Sequence, residues 1–171
     1  KGVQRDTGGY AVARAASMKH IFLGKPGETY FSTSDIGWVV GHSYIVYGPL
    51  IAGMATIMYE GLPTRPDAAV WWNLVEKYKV TSMFSAPTAV RVLKKQDPAA
   101  LKKHDLSTLR ALFLAGEPQN SEDEVAAARA VHPARAQYQV LSSDGLHGAL
   151  ARELAFPVCV HRIGRIVLHV R

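Results

Sequence analysis

The sequence predicts an α/β fold built on a mostly parallel sheet, and three observations carry that reading. Short β-prone runs at 30–34, 55–59, 81–85 and 111–114 alternate with stretches of helical period. Glycine and proline clusters separate them, as turns require. Strand, helix, strand in regular succession is the pattern of parallel βα units. The chain has 171 residues, 48% of them hydrophobic, enough for one ordinary domain core. No spacing suggests internal repeats, and no segment is of low complexity.

The elements follow in order. A first helix is expected over 9–22, with Tyr10, Ala13, Ser17 and Ile21 on one face, a sharp turn into it at Gly8-Gly9, and Gly24 and Pro26 ending it. After the first strand comes Asp35-Ile36-Gly37-Trp38-Val39-Val40-Gly41. Its glycines let the backbone turn tightly or admit a close neighbour. A buried helix is expected from Gly41 to about Ala52, with Tyr44, Tyr47, Gly48 and Ile51 on one face and Gly53 closing it. Pro63, Arg65 and Pro66 mark a loop, and Asp67 is placed to cap a helix over 68–78 whose buried stripe is Val70, Leu74 and Tyr78. Pro87-Thr88 opens a helix to about Lys95, broken at Asp97-Pro98. Beyond Pro118 a capped helix is expected over 121–131 and a strand over 165–170.

Composition narrows the function. The net charge is +6, but the basic residues are scattered and no nucleic-acid motif accompanies them, so a solvated surface is favoured over a polyanion groove. The single cysteine, Cys159, forms no disulfide framework, and its spacing to His132, His147, His161 and His169 fits no zinc pattern. No apolar run reaches the length of a membrane span, and no secretory leader is expected at the start. Gly41-His42-Ser43-Tyr44-Ile45 has isoleucine where a nucleophile elbow needs its last glycine, which argues against a hydrolase. Asp35 is read as a turn residue that binds local N–H groups.

Five segments then fall in one order: Lys1-Gly2-Val3-Gln4-Arg5-Asp6-Thr7-Gly8-Gly9-Tyr10, the glycine-interrupted stretch 35–50, Tyr59-Glu60-Gly61, Ser85-Ala86-Pro87-Thr88-Ala89 and Ala115-Gly116-Glu117-Pro118. In order and spacing they resemble the AMP-forming acyl-CoA synthetases, the acyl-adenylate-forming ligases, in their acetyl-/propionyl-CoA synthetase branch and nearest its propionate-type members. The resemblance covers roughly residues 1 to 118. It implies that residues 1–118 are a partial AMP-binding domain, a piece of the family's large N-terminal domain. Residues 119–171 are expected to be a divergent tail, read in a shifted frame or replaced: every lysine lies at or before Lys103, and the tail carries only arginines as its basic residues apart from histidine.

The same resemblance implies chemistry. A short-chain carboxylate attacks Mg-ATP, giving acyl-AMP and pyrophosphate, and coenzyme A then displaces AMP. Gly116, Glu117 and Pro118 are expected to bind ATP along its adenine. Trp38, Val39 and Ala115 line the acyl pocket, and Val40 and Thr64 lie near coenzyme A. This sequence departs from acetate-type members at three of these positions, with Val40 for threonine, Thr64 for asparagine and Ala115 for valine. The smaller Ala115 favours propionate over acetate. Lys1-Gly2 matches the end of the family's phosphate loop, whose remainder this sequence lacks. The Gln-Thr-Glu segment, the ribose-binding aspartate and the lid lysine are not found, so no catalytic residue and no metal ligand is assigned, and the isolated chain is expected to be inactive. The alternative is a non-catalytic product of a truncated gene, or a module retaining some adenine-nucleotide affinity. A cytoplasmic location is expected, with no nucleic acid and no membrane as partner.

Overall fold

The structure is a computed structural model that describes residues 4–97 and 103–114. Lys1, the helix break at Pro98, the elements expected at 121–131 and 165–170, and the residues Ala115, Gly116, Glu117 and Pro118 lie outside the described residues.

Four strands form one parallel sheet: β1 (Thr29–Ser32), β2 (Ala55–Ile57), β3 (Val80–Ser85) and β4 (Ala111–Leu114). Their spatial order is β2-β1-β3-β4. The chain therefore leaves β1 in one direction, returns past it, and builds outward on its other side. The reversal makes the β1/β3 boundary a topological switch point.

Alternation along the strands divides the core into two layers. Phe31, Met83, Leu112 and Leu114 meet Trp71, Trp72, Val75 and Val90 on one face. Tyr30, Phe84, Ala111 and Phe113 meet Met18, Ile21, Phe22 and Met54 on the other. Helix α4 (Val70–Tyr78) and helix α5 (Pro87–Lys94) supply the first layer. Helix α1 (Thr7–His20) and the helical segment after β1 supply the second. Phe22 sits at the centre of the second layer, edge-on to Tyr30, Phe84 and Phe113 with ring centroids 4.9–5.5 Å apart.

Helix α1 begins earlier than the glycines suggested. Asp6 is its N-cap, and the carboxylate accepts the Gly9 N–H at 2.5 Å, so Gly8 and Gly9 lie inside the first turn. In α4 the stripe expected from Val70, Leu74 and Tyr78 is off by one position. Trp71, Trp72 and Val75 are buried, Val70 and Leu74 flank them, and Tyr78 is 45% exposed. The two indoles carry the largest apolar area on the helix, and their burial fixes its rotation. Asp67 accepts the Ala69 N–H at 2.7 Å in a local turn, two residues short of the cap position, which Ala69 takes.

The helix after the glycine turn is the least regular element. It runs as α2 (Val39–Gly41), a π-helical stretch (His42–Tyr47) and α3 (Gly48–Ile51) without a break. The Gly48 N–H donates to Ser43 O, five residues back. The cause is Pro49, which has no N–H and whose ring crowds the carbonyl four residues earlier, that of Ile45. Widening the turn relieves the crowding, and the Thr56 hydroxyl of β2 donates to Ile45 O at 2.8 Å. The wider turn also shifts the buried face. Gly41, Ser43, Ile45, Gly48 and Pro49 are inside, while Tyr47 and Ile51, expected inside, are 52% and 45% exposed.

Candidate ligand site at the carboxyl edge of the sheet

In a doubly wound sheet the ligand crevice opens beyond the carboxyl ends of the strands, at the switch point. Here that point is framed by Thr33 after β1 and Ser85 at the end of β3. The Thr33 N–H donates to Phe84 O at 2.9 Å, and the two hydroxyls pair at 2.8 Å. One hydroxyl of such a pair donates and the other keeps its hydrogen, so the pair still presents a donor. Sequence reading placed Ser85 in one of the five motifs but gave neither hydroxyl a role, although the two recur at the ends of two β runs.

Beyond Thr33 the chain makes a tight turn. Asp35 Oδ1 accepts the Gly37 N–H at 2.6 Å, and Asp35 O accepts the Trp38 N–H at 3.1 Å, which is the local role expected of this carboxylate. The turn folds directly onto the start of α2. A Cβ on Gly41 would stand 2.1 Å from Asp35 O and 2.7 Å from Ile36 Cα, so no other residue fits at position 41 without moving the turn.

Trp38 is delivered at the head of α2 and is 70% exposed. Tryptophan is highly buried on average, so the ordinary core role that competes with a binding role for Trp38 does not hold. Val39 beside it is 40% exposed, whereas Val40 is half-buried and packs on the second core layer. The three consecutive residues are thus split: Trp38 and Val39 face outward and Val40 anchors them. Thr64, half-buried, lies in the loop after β2, where the Tyr59 hydroxyl donates to Arg65 O at 2.5 Å. Ala115 to Pro118 follow the carboxyl end of β4 in the chain, outside the described residues.

Ser43 is not a nucleophile. It is buried within the π-helical stretch, and its hydroxyl pairs with that of Tyr10 at 2.7 Å, while the neighbouring His42 is exposed. Among the described residues no group of three or more His, Cys, Asp or Glu side chains is placed to hold a metal ion. Among the same residues no helix is long and apolar enough to cross a membrane.

Residues 1–139 match the model of a protein family described as AMP-binding enzyme. This chain belongs to that family. The match to the AMP-binding enzyme family runs on past Pro118, the last residue of the motifs read from sequence. Among curated relatives, the propionate–CoA ligase of Escherichia coli K12 is 71% identical over 118 residues, which are 69% of this chain and 19% of that protein. The acetyl-coenzyme A synthetase of Rhodobacter capsulatus is 50% identical over 122 residues, 71% of this chain and 19% of that protein. Among solved structures, the Brucella canis acyl-CoA synthetase superposes with a TM-score of 0.64 at 29% identity, over 77% of this chain and 24% of that one. The parallel α/β sheet is thus the family's. The chain spans about a fifth of the length of the curated relatives it matches.

Proposed function

We propose that this chain is a segment of an acid–thiol ligase that activates a short-chain carboxylate with ATP and passes the acyl group to coenzyme A, with propionate preferred to acetate. The observation that carries the reading is Trp38. An indole 70% exposed at the carboxyl edge, on a turn that Asp35 and Gly41 lock in place, is a wall waiting for an apolar group. Val39 extends that wall, and Ala115 is its expected floor. Val40 and Thr64 are the coenzyme A side, and Gly116, Glu117 and Pro118 the adenine side. Residues 1–118 form the partial AMP-binding domain in this reading and 119–171 the divergent tail, in a cytoplasmic protein.

The chain's own residues bind and orient; they do not catalyse. Stabilising charge on the transferred phosphoryl group needs fixed donors aimed at it, and no residue identified in this sequence takes that role. The isolated chain is therefore inactive in adenylation. Nucleotide-dependent thermal stabilisation of the chain separates residual binding from none, since a ligand of the native state raises its stability.

The test places residues 1–118 in the frame of the Escherichia coli propionate–CoA ligase and compares it with its Trp38→Ala variant. The KM for propionate should rise by about tenfold, the cost of losing one good apolar contact, with the KM for ATP unchanged. Unchanged propionate KM removes Trp38 from the acyl pocket. The isolated 171-residue chain should give no carboxylate-dependent ATP–pyrophosphate exchange above a boiled control.

A further inference from the structure

Among the described residues, five buried side-chain nitrogen or oxygen atoms meet no hydrogen-bond partner. Four of them lie on the side of the sheet covered by α1 and the π-helical stretch: Arg14 Nε, Tyr30 Oη, Ser32 Oγ and Ser82 Oγ. The three hydroxyls share one face. Tyr30 and Ser82 are partners across β1 and β3, and Ser32 follows Tyr30 by two residues. Tyr30 is 0% exposed, and Ser32 and Ser82 are each 1% exposed.

The polar groups around them are already committed. The Ser17 hydroxyl donates to Arg14 O, the Tyr44 hydroxyl donates to Ser17 Oγ, and Tyr10 pairs with Ser43. The rest of this core layer, Phe22, Phe84 and Phe113 with Met18, Met54 and Ala111, offers rings and other apolar groups. Arg14 lies over the Tyr10 and Tyr44 rings, 5.2 and 4.9 Å from their centroids, which leaves Nε without an acceptor. Orphaned buried hydroxyls are rare, and each carries its full desolvation cost unless something answers it. Three of them on one face of two paired strands supply the two to four polar partners that an internal water needs.

We infer that this layer is an internal hydration site, in which ordered water bonds the hydroxyls of Ser32, Ser82 and Tyr30. The site lies just inside the carboxyl edge, since Ser32 is the residue before Thr33. It is independent of the acyl and nucleotide roles proposed above.

The experiment exploits a difference of sign. If water bridges the hydroxyls, Ser82→Ala or Ser32→Ala breaks a bonded network and lowers the urea midpoint of the full 171-residue chain. The double variant then loses less than the sum, because the two share solvent. If the hydroxyls are dry, each alanine removes an unpaired polar group, and the midpoint stays or rises, which overturns the inference. Should either variant fail to fold, the unsubstituted chain decides. Long-lived water–protein NOEs at the Ser32 and Ser82 amides support the site, and their absence in the folded chain overturns it.

Discussion

The Thr56 hydroxyl donates at 2.8 Å to the carbonyl of Ile45, the residue four before Pro49. A side chain on β2 thus bonds the helix that carries Trp38 at its head. Donor and acceptor are eleven residues apart in sequence.

That relationship predicts a coupled pair of effects. Thr56→Val strands a carbonyl and should cost about 1–3 kcal/mol in urea unfolding. Pro49→Ala supplies an N–H that reaches Ile45 O once the turn relaxes to α-helical register, so the same valine substitution should cost less in the Pro49→Ala background. A double-mutant cycle measures this, and additive losses would show that the two residues do not share the carbonyl.

Gly41→Ala should displace the turn at 35–37. The added Cβ meets backbone at 2.1 Å, which no side-chain adjustment relieves. A destabilisation of about 1–3 kcal/mol is expected, as for other overpacked sites. The intrinsic fluorescence of Trp38 should change with it, read in a chain whose Trp71 and Trp72 are replaced by phenylalanine.

Glu28 and Arg110 make a bidentate pair at the other edge of the sheet, with N–O distances of 2.6 and 2.7 Å. The Arg110 hydrogen bonds hold the Glu28 carboxyl below its ordinary value of 4.5, aided by the Lys25 N–H. A carboxyl lowered in the folded state adds stability that is full above its unfolded value and is lost as the pH falls through the folded one. Unfolding measured from pH 6 down to 3 should therefore show a decline that Arg110→Met flattens. Arg110 is 45% exposed, so the amplitude should stay near or below about 1 kcal/mol.

Ala115 is proposed to set the depth of the acyl pocket. In the restored ligase, Ala115→Val should reduce the preference for propionate over acetate in kcat/KM. One methylene in an apolar pocket is worth about 1–3 kcal/mol of discrimination. Equal selectivity before and after the change would free Ala115 of that role.

Much of the order was legible in the sequence. The strand at Ala111–Leu114 falls where its apolar run lies, and helix α5 begins at Pro87 because proline is at home in a first helical turn. Five motifs in order marked the family. The rotation of α4 and the interior of the helix carrying Trp38 were not legible. Both depend on which large side chain wins a shared volume, and Val70 and Trp71 are equally apolar on paper.

By itself, then, the sequence determined the alternation of strands and helices, the family and the local turn at Asp35, because each is written in contiguous residues. Only the tertiary structure decided that Trp38 stands out from the core, that Thr33 and Ser85 meet at the switch point, and that Thr56 bonds the Ile45 carbonyl. These are relations between segments distant in the chain. Thr33 and Ser85 are 52 residues apart, and nothing local to either encodes the other. The order in which four strands assemble is what brings them together.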